Sequence, residues 1–327
     1  MTNPPEFLVS GGGAAALVAP VAISRKSPRR LFWDRFRQDK AALAGLVVVI
    51  LLLLIAIFGG PLAAHITGHA QNGTFTDATD DFGIPVGPNS HFWFGADASG
   101  RDLFVRTMYG ARTSLIVGVA ASAIALFVGT LVGLLAGFYG GWIDTGLSRT
   151  ADVILALPQV LIAVGIVAAC SVSKDGCLHG LIQPGLSVVI LVIAFFSWSY
   201  IARIVRGYTL SLREKEFVES ARALGASNTR ILRSEILPNL IGPLIVYTTL
   251  LIPTNILFES ALSFLGLGVP VTVSSWGSLL DDASTNGLYQ VAWWMMVFPG
   301  GLLILTTLAF NLLGDGLRDA FDVRSDR

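Results

Sequence analysis

Leu46-Val-Val-Val-Ile-Leu-Leu-Leu-Leu-Ile55 is a run of ten aliphatic residues with no polar atom outside the backbone. In water a helix with no polar side has nothing to face the solvent. In lipid it satisfies its backbone groups internally and presents only hydrocarbon. The charge-free stretch around this run extends from Ala41 to Ala64. That is long enough to span, since ~20 residues rising ~1.5 Å each cross a ~30 Å hydrocarbon core. Working outward, charge-free runs recur at Thr113 to Tyr139, Val153 to Cys170, Pro184 to Ala202, Leu240 to Phe258 and Val291 to Leu313. The expectation is an all-α polytopic membrane protein with six transmembrane helices.

The composition of the 327 residues agrees: 13% are charged, 53% are hydrophobic and the mean hydropathy is +0.69. A soluble protein carries about 25% charged residues. A soluble globular domain and a disordered chain are both excluded. Basic and acidic residues number 22 each, so nothing global points to nucleic acid as a partner. Two Cys and four His are too few for a Cys/His metal cage. Ala14 to Ile23 is too short to span, and its basic residues lie downstream, the wrong order for a signal peptide. Residues 1–24 read as a flexible Gly/Ala/Pro tail.

Basic residues set the expected orientation. Arg25, Lys26, Arg29, Arg30, Arg35, Arg37 and Lys40 precede the first span. Placing that end in the cytoplasm puts 18 Lys/Arg inside and four (Arg101, Arg106, Arg112, Lys174) outside. Both termini are then cytoplasmic. The expected division is a cytoplasmic tail 1–40, a first span 41–64, an external loop 65–111, a five-helix core 112–315 and a cytoplasmic tail 316–327. Further outer loops are 171–183 and 259–290, and the inner loops are 140–152 and 203–239.

No G-x-x-x-x-G-K-[ST] phosphate loop and no H-E-x-x-H occurs, and no nucleophile has a visible base. A transporter of this kind draws energy from an ion gradient or from another subunit. Gradient carriers hold ionisable residues at mid-membrane. Here Arg112, Asp152 and Glu259 fall near span ends by this count, which argues against coupling to protons or sodium.

The loop 203–239 is far longer than a connector needs. Phe217, Ala221 and Leu224 recur at helical spacing, with Glu216, Glu219 and Arg222 on other faces. Gly225 stops this helix, and Ala226-Ser227-Asn228 supplies a turn and a cap for a second helix from Thr229, with Pro238 before the fifth span. Such a helix-turn-helix either docks into a partner's groove or rests on lipid headgroups.

Glu219-Ser-Ala-Arg-Ala-Leu-Gly225 with Leu237-Pro238 resembles the E-A-A-x-x-x-G…L-P signature of ABC importer permeases. Ser220 stands where Ala is usual there, and Glu235 where relatives often carry His. Phe94-Gly-Ala-Asp97-Ala-Ser-Gly100-Arg101-Asp102, continuing through Arg106 to Gly110-Ala-Arg112, looks like the segment before the second span in the peptide/nickel class. Phe264-Leu-Gly-Leu-Gly268, Trp276-Gly277 and Asn311-Leu-Leu-Gly-Asp315-Gly-Leu-Arg318-Asp319 look like the end of the C-type subunit of dipeptide/oligopeptide permeases. Val323 replaces a Pro common there.

The resemblance covers roughly residues 30–323. It implies a type I ABC importer permease fold in a bacterial cytoplasmic membrane. It also implies a heterodimer with a second permease subunit, two ATPase subunits that bind ATP and Mg, and an external substrate-binding protein. This chain would hold no cofactor and act as a mechanical transducer. Phe217, Glu219, Ala221, Arg222, Leu224, Gly225, Leu237 and Pro238 would form the ATPase-coupling segment. The alternatives are a nickel or other small-solute importer of the same subclass, and a gradient-driven carrier.

Other features admit two readings each. Ala121, Ala125, Gly129, Gly133 and Gly137 form a small-residue stripe for close helix approach, within the chain or on a partner. Arg101, Asp102 and Arg106 either pair with one another to tie a loop or contact the binding protein. Trp276 and Trp293-Trp294 are expected in an interfacial aromatic belt. Pro158, Pro253 and Pro299 lie within spans, each removing a backbone hydrogen bond. Cys170 and Cys177, the only cysteines, flank a short outer loop. A disulfide is the expectation, and two independent thiols are the alternative.

Overall fold

The computed structural model describes residues 28–172, 177, 185–270 and 272–321. The expected tail 1–24, Lys174 and Val323 lie outside them. The described residues form helices joined by short connections and one long segment, 68–102, with three isolated β-bridges.

The first span begins at Asp39, whose carboxylate accepts from the N–H groups of Ala41 (2.8 Å) and Ala42 (3.0 Å). This N-cap starts α2 (Lys40–Leu54), which follows α1 (Pro28–Gln38). A π turn (Ile55–Gly59) carries α2 into α3 (Gly60–Thr67), so one helix runs over Lys40–Thr67. Then come α4 (Leu103–Tyr139), α5 (Gly141–Ala156), α6 (Gln159–Val172) and α7 (Leu186–Leu212). After them follow α8 (Glu216–Ala223), α9 (Asn228–Arg230), α10 (Leu237–Phe264), α11 (Trp276–Ser284) and α12 (Trp294–Phe321). Five helices are long and apolar enough to cross a membrane, and α5 with α6 makes a sixth candidate bent by 86°.

That bend corrects the third span, read as one helix from Val153 to Cys170. Pro158 has no N–H to donate and forces Leu157 into an extended conformation (ψ 141°), so α5 stops there. Pro243 and Pro253 in α10 and Pro299 in α12 sit inside helices that continue.

Other boundaries move too. The second span starts ten residues before Thr113, because the Asp102 carboxylate caps the N–H groups of Phe104 (2.8 Å) and Val105 (3.2 Å). Arg106 therefore lies in α4, not in a loop 65–111, and Arg112 lies well inside the same helix and not at its start. Residues 140–152 are not a loop either, since α5 begins directly after Gly140. The segment 203–239 shrinks at both ends: α7 runs to Leu212, and a helix runs unbroken over Asn228–Phe264. α12 extends to Phe321, so residues 316–321 are helix and not tail.

Packing runs in the order α2, α12, α10, α4, α7, with α5 and α6 against α7. The α4–α7 contact is the tightest and rests on the small-residue stripe. A β-carbon on Gly129, Gly133 or Gly137 would meet Ile201, Ala202 or Thr209 of α7 within 2.7 Å. Ala121 and Ala125 are fully buried on the same face. Among the described residues the glycines of the stripe lie against α7 of the same chain.

Residues 68–102 fold into a small lobe on one end of the bundle around Ala78, Phe92 and Ala96. Trp276 and Trp294 do not form a belt. Trp276 is fully buried and its Nε1 donates to the Thr107 carbonyl (3.2 Å), while Trp294 Nε1 donates to the Ala96 carbonyl (3.2 Å). Each indole N–H has an internal acceptor, which makes burial of the whole ring favourable. Only Trp293 of the three stands half exposed.

Candidate functional site

The end of the bundle opposite the lobe carries α8 and the turn after it. α8 is an eight-residue helix ended by a Schellman motif. Gly225 N–H donates to the Arg222 carbonyl and Ala226 N–H to the Ala221 carbonyl, each at 3.0 Å. Gly225 has φ +79°, the left-handed conformation in which a β-carbon costs ~1 kcal/mol or more. Ser227 then caps α9 through the Arg230 N–H. A π turn (Ile231–Ile236) joins α9 to α10, with Pro238 in the first turn of α10.

Of the three apolar positions read as one face of α8, only Ala221 turns inward. Val218 is fully buried, and Ala221 packs beside it against the cluster of Ile231, Ile236 and Leu240. Phe217 and Leu224 point away. Phe217 is 39% exposed and Leu224 is 89% exposed, the highest value among the large apolar side chains described. Glu219, Arg222 and Gly225 are exposed beside them. The result is a knob: a short helix held by Val218 and Ala221 against the π turn that leads into α10, showing an apolar tip ringed by charge. Arg213 ties the same region to α4 by donating to the Gly137 carbonyl (2.9 Å).

The opposite end holds an ion cluster. The Asp97 carboxylate accepts from Arg106 and from Arg101 Nε (2.7 Å), and from the N–H groups of Ser99 (2.9 Å) and Arg101 (3.0 Å). Asp282 of α11 takes both guanidiniums as well (3.2 and 3.3 Å). Burial pushes the Asp282 carboxyl above its usual range, and Arg106 opposes it. Arg106 Nε also donates to Ser274 (3.1 Å), and Asp102 holds His69 Nδ1 at 2.6 Å. Arg101, Asp102 and Arg106 thus pair and cap inside the chain. Cys170 and Cys177 are joined by a disulfide, with Cα atoms 5.0 Å apart.

Sequence reasoning missed two polar clusters inside the bundle. Glu259, assigned to a span end, is fully buried in α10 and accepts from Ser263 (2.6 Å), Ser114 (3.1 Å) and Ser260 (3.4 Å). One turn earlier, Asn255 donates to Ser122 (2.9 Å) and accepts from Ser197 (2.7 Å). The signal was available: Asn255, Glu259 and Ser263 recur every four residues on α10, opposite Ser114, Gly118 and Ser122 at the same spacing on α4. The second cluster lies between α5 and α7, where Asp144 pairs with Arg206 and Asp152 with Arg203. Asp152 and Arg112, read as lying near span ends, both lie within helices, α5 and α4. Among the described residues no three His, Cys, Asp or Glu side chains converge as metal ligands.

Known proteins match this arrangement. Residues 129–327 match the family of binding-protein-dependent transport system inner membrane components, and residues 27–80 match the N-terminal transmembrane domain of oligopeptide transport permease C. The dipeptide transport system permease protein of Alkalihalophilus pseudofirmus is 40% identical over 296 residues, 90% of each chain. The oligopeptide transport system permease protein of Bacillus subtilis is 38% identical, over 88% of this chain and 87% of its own. The glutathione transport system permease protein of Shigella dysenteriae is 40% identical over 94% of each. Among solved structures, the inward-facing methionine ABC transporter MetNI superposes with a TM-score of 0.52 at 19% identity, over 64% of this chain and 94% of that one. That last likeness is one of fold.

Proposed function

Because the chain belongs to the family of binding-protein-dependent transport system inner membrane components, we propose that it is one of two permease subunits of an ATP-driven peptide importer in a bacterial cytoplasmic membrane. The relatives named for dipeptides, oligopeptides and glutathione, itself a tripeptide, support a short peptide as cargo. In this reading an external binding protein delivers the peptide to a pathway enclosed with the second permease. Two separate ATPase subunits hold ATP and Mg and supply the work. Both termini and α8 face the cytoplasm, in line with the 18-to-4 distribution of Lys and Arg. The lobe 68–102 and the disulfide face outward.

The observation that carries the coupling role is the α8 knob. A helix resting on lipid would turn its whole apolar face to the bilayer. Here Val218 and Ala221 fasten the helix to α10, so force on the exposed tip passes into a membrane-crossing helix. Phe217 and Leu224 are the docking surface, Glu219 and Arg222 its charged rim, and Gly225 with Leu237 and Pro238 sets the angle to α10. Ala221 acts from within, holding the knob in place.

The test is expression with the partner subunits, co-purification, and peptide-stimulated ATP hydrolysis in vesicles. Leu224→Asp, Glu219→Lys and Gly225→Asp are expected to leave this chain inserted but to release the ATPase or uncouple hydrolysis from uptake. Normal stoichiometry, stimulation and uptake in all three variants would reject the assignment.

A further inference from the structure

Between α4, α5 and α7, at the α8 end of the bundle, lies a cavity of about 440 Å³. This is within the roughly 300–1,000 Å³ range of small-ligand sites. Its walls are charged, which is uncommon for a cavity among membrane helices. Ionisable residues at such positions line water-filled paths or bind cargo. On α5, Asp144, Ser148 and Asp152 recur every four residues and so share a face. On α7, Arg203 and Arg206 face them. The α4 wall is Val132, Gly133 and Ala136.

The two ion pairs differ in kind. Asp144 is saturated: Arg206 donates to both of its oxygens (2.5 and 2.7 Å), and Ser148 donates a third bond (3.0 Å). Asp152 and Arg203 share one bond of 2.8 Å, with side chains 50% and 59% exposed. An exposed pair of that kind is worth ~0–1 kcal/mol, so opening it costs little. When it opens, it presents one carboxylate and one guanidinium side by side.

A ligand bearing an ammonium and a carboxylate replaces each lost contact with one of the same charge type. A dipeptide with free ends fits, since two residues extend at most ~7 Å. The lining also holds Arg149, and a lone anion would replace only the Arg203 contact and leave the Asp152 carboxylate without its partner.

We propose that this cavity is a binding site for the charged ends of a zwitterionic peptide, with Asp152 taking the ammonium, Arg203 the carboxylate, and Asp144–Arg206 as a fixed floor. The proposal rests on the peptide-importer reading and deepens it. In the proposed orientation the cavity is the inner mouth of the pathway.

The test uses the complete importer carrying Thr145→Cys, a position on the cavity wall and exposed. Both native cysteines are bonded, so this is the chain's one free thiol. Maleimide labelling of position 145 is followed with added alanyl-alanine, N-acetyl-alanine amide or inorganic phosphate. At ten times its dissociation constant, alanyl-alanine is expected to slow labelling about tenfold by mass action. The other two probes are expected to leave the rate unchanged. Asp152→Asn or Arg203→Gln should abolish protection, and Asp152→Glu should retain it.

No protection by alanyl-alanine, while the same preparation still takes up peptide, would overturn the site and leave the importer reading intact. Absence of peptide uptake by the unmodified importer would instead refute that reading. Protection by phosphate alone, or equally by the uncharged amide, would also overturn the proposal.

Discussion

Gly133→Ala isolates the packing of α4 on α7. The new β-carbon would lie 2.6 Å from the Ala202 carbonyl oxygen and 2.7 Å from Val205 Cβ. Favourable carbon contacts begin near 3.5 Å, so the helices must separate by roughly 1 Å at this point. Both obstacles are backbone or β-branched, and neither can swing away. Overpacking of this kind costs about 1–3 kcal/mol. Helix propensity pulls the other way, since Gly→Ala in a helix gains about 1 kcal/mol. Gly146→Ala in α5 removes that ambiguity, because among the described residues no other element lies within 4 Å of its added β-carbon. The propensity gain is common to both variants, and their difference is the packing term. The assay is the temperature at which the detergent-solubilised protein loses its monodisperse size-exclusion peak. Gly133→Ala should fall below Gly146→Ala by the equivalent of about 1–3 kcal/mol. Equal midpoints would mean that α4 and α7 are not held at the distance described.

Three further outcomes are expected. Arg106→Ala leaves the buried Asp97 carboxylate without its main partner, and thermal stability should drop by about 3–5 kcal/mol; Arg106→Lys should restore it only in part, since the Nε bond to Ser274 is lost. Glu259→Gln preserves shape and hydrogen bonding to the surrounding serines and should be tolerated. Glu259→Ala strands Ser114 and Ser263 and should cost about 1–3 kcal/mol in the same assay. Cys170→Ser opens a loop closed by a sequence separation of 7. It should cost about 2–3 kcal/mol on chain entropy, and unreduced mass spectrometry of the parent protein should show the linked peptide.

The parts of the fold legible in the sequence are those set by local chemistry. Leu46 to Ile55 could be nothing but a membrane-crossing helix, and the stripe from Ala121 to Gly137 marked a close helix contact. Gly225 announced a left-handed stop because its neighbours had helical periodicity up to Leu224. Illegible parts depended on tertiary partners. Trp276 was read as interfacial because nothing local says that the Thr107 carbonyl waits for its N–H. Pro158 breaks its helix while Pro253 does not, a difference that one residue type cannot encode by itself. Ala221 was grouped with Phe217 and Leu224 for a related reason: helical spacing joins the three, and only the fit against Ile231 and Ile236 turns Val218 and Ala221 inward. The Asp144–Arg206 and Asp152–Arg203 pairs join residues more than fifty positions apart, so their charges looked like ordinary loop residues.

The coupling claim is tested most directly by cross-linking from position 224. With both native cysteines bonded, Leu224→Cys gives the chain one free thiol at the most exposed large apolar position described. A short thiol–amine cross-linker is applied to membranes holding the complete importer, and the products are identified by mass spectrometry. The account predicts a single dominant adduct between this chain and an ATPase subunit, with a yield that changes when nucleotide is added. An importer that still takes up peptide while position 224 links to no ATPase subunit would contradict it.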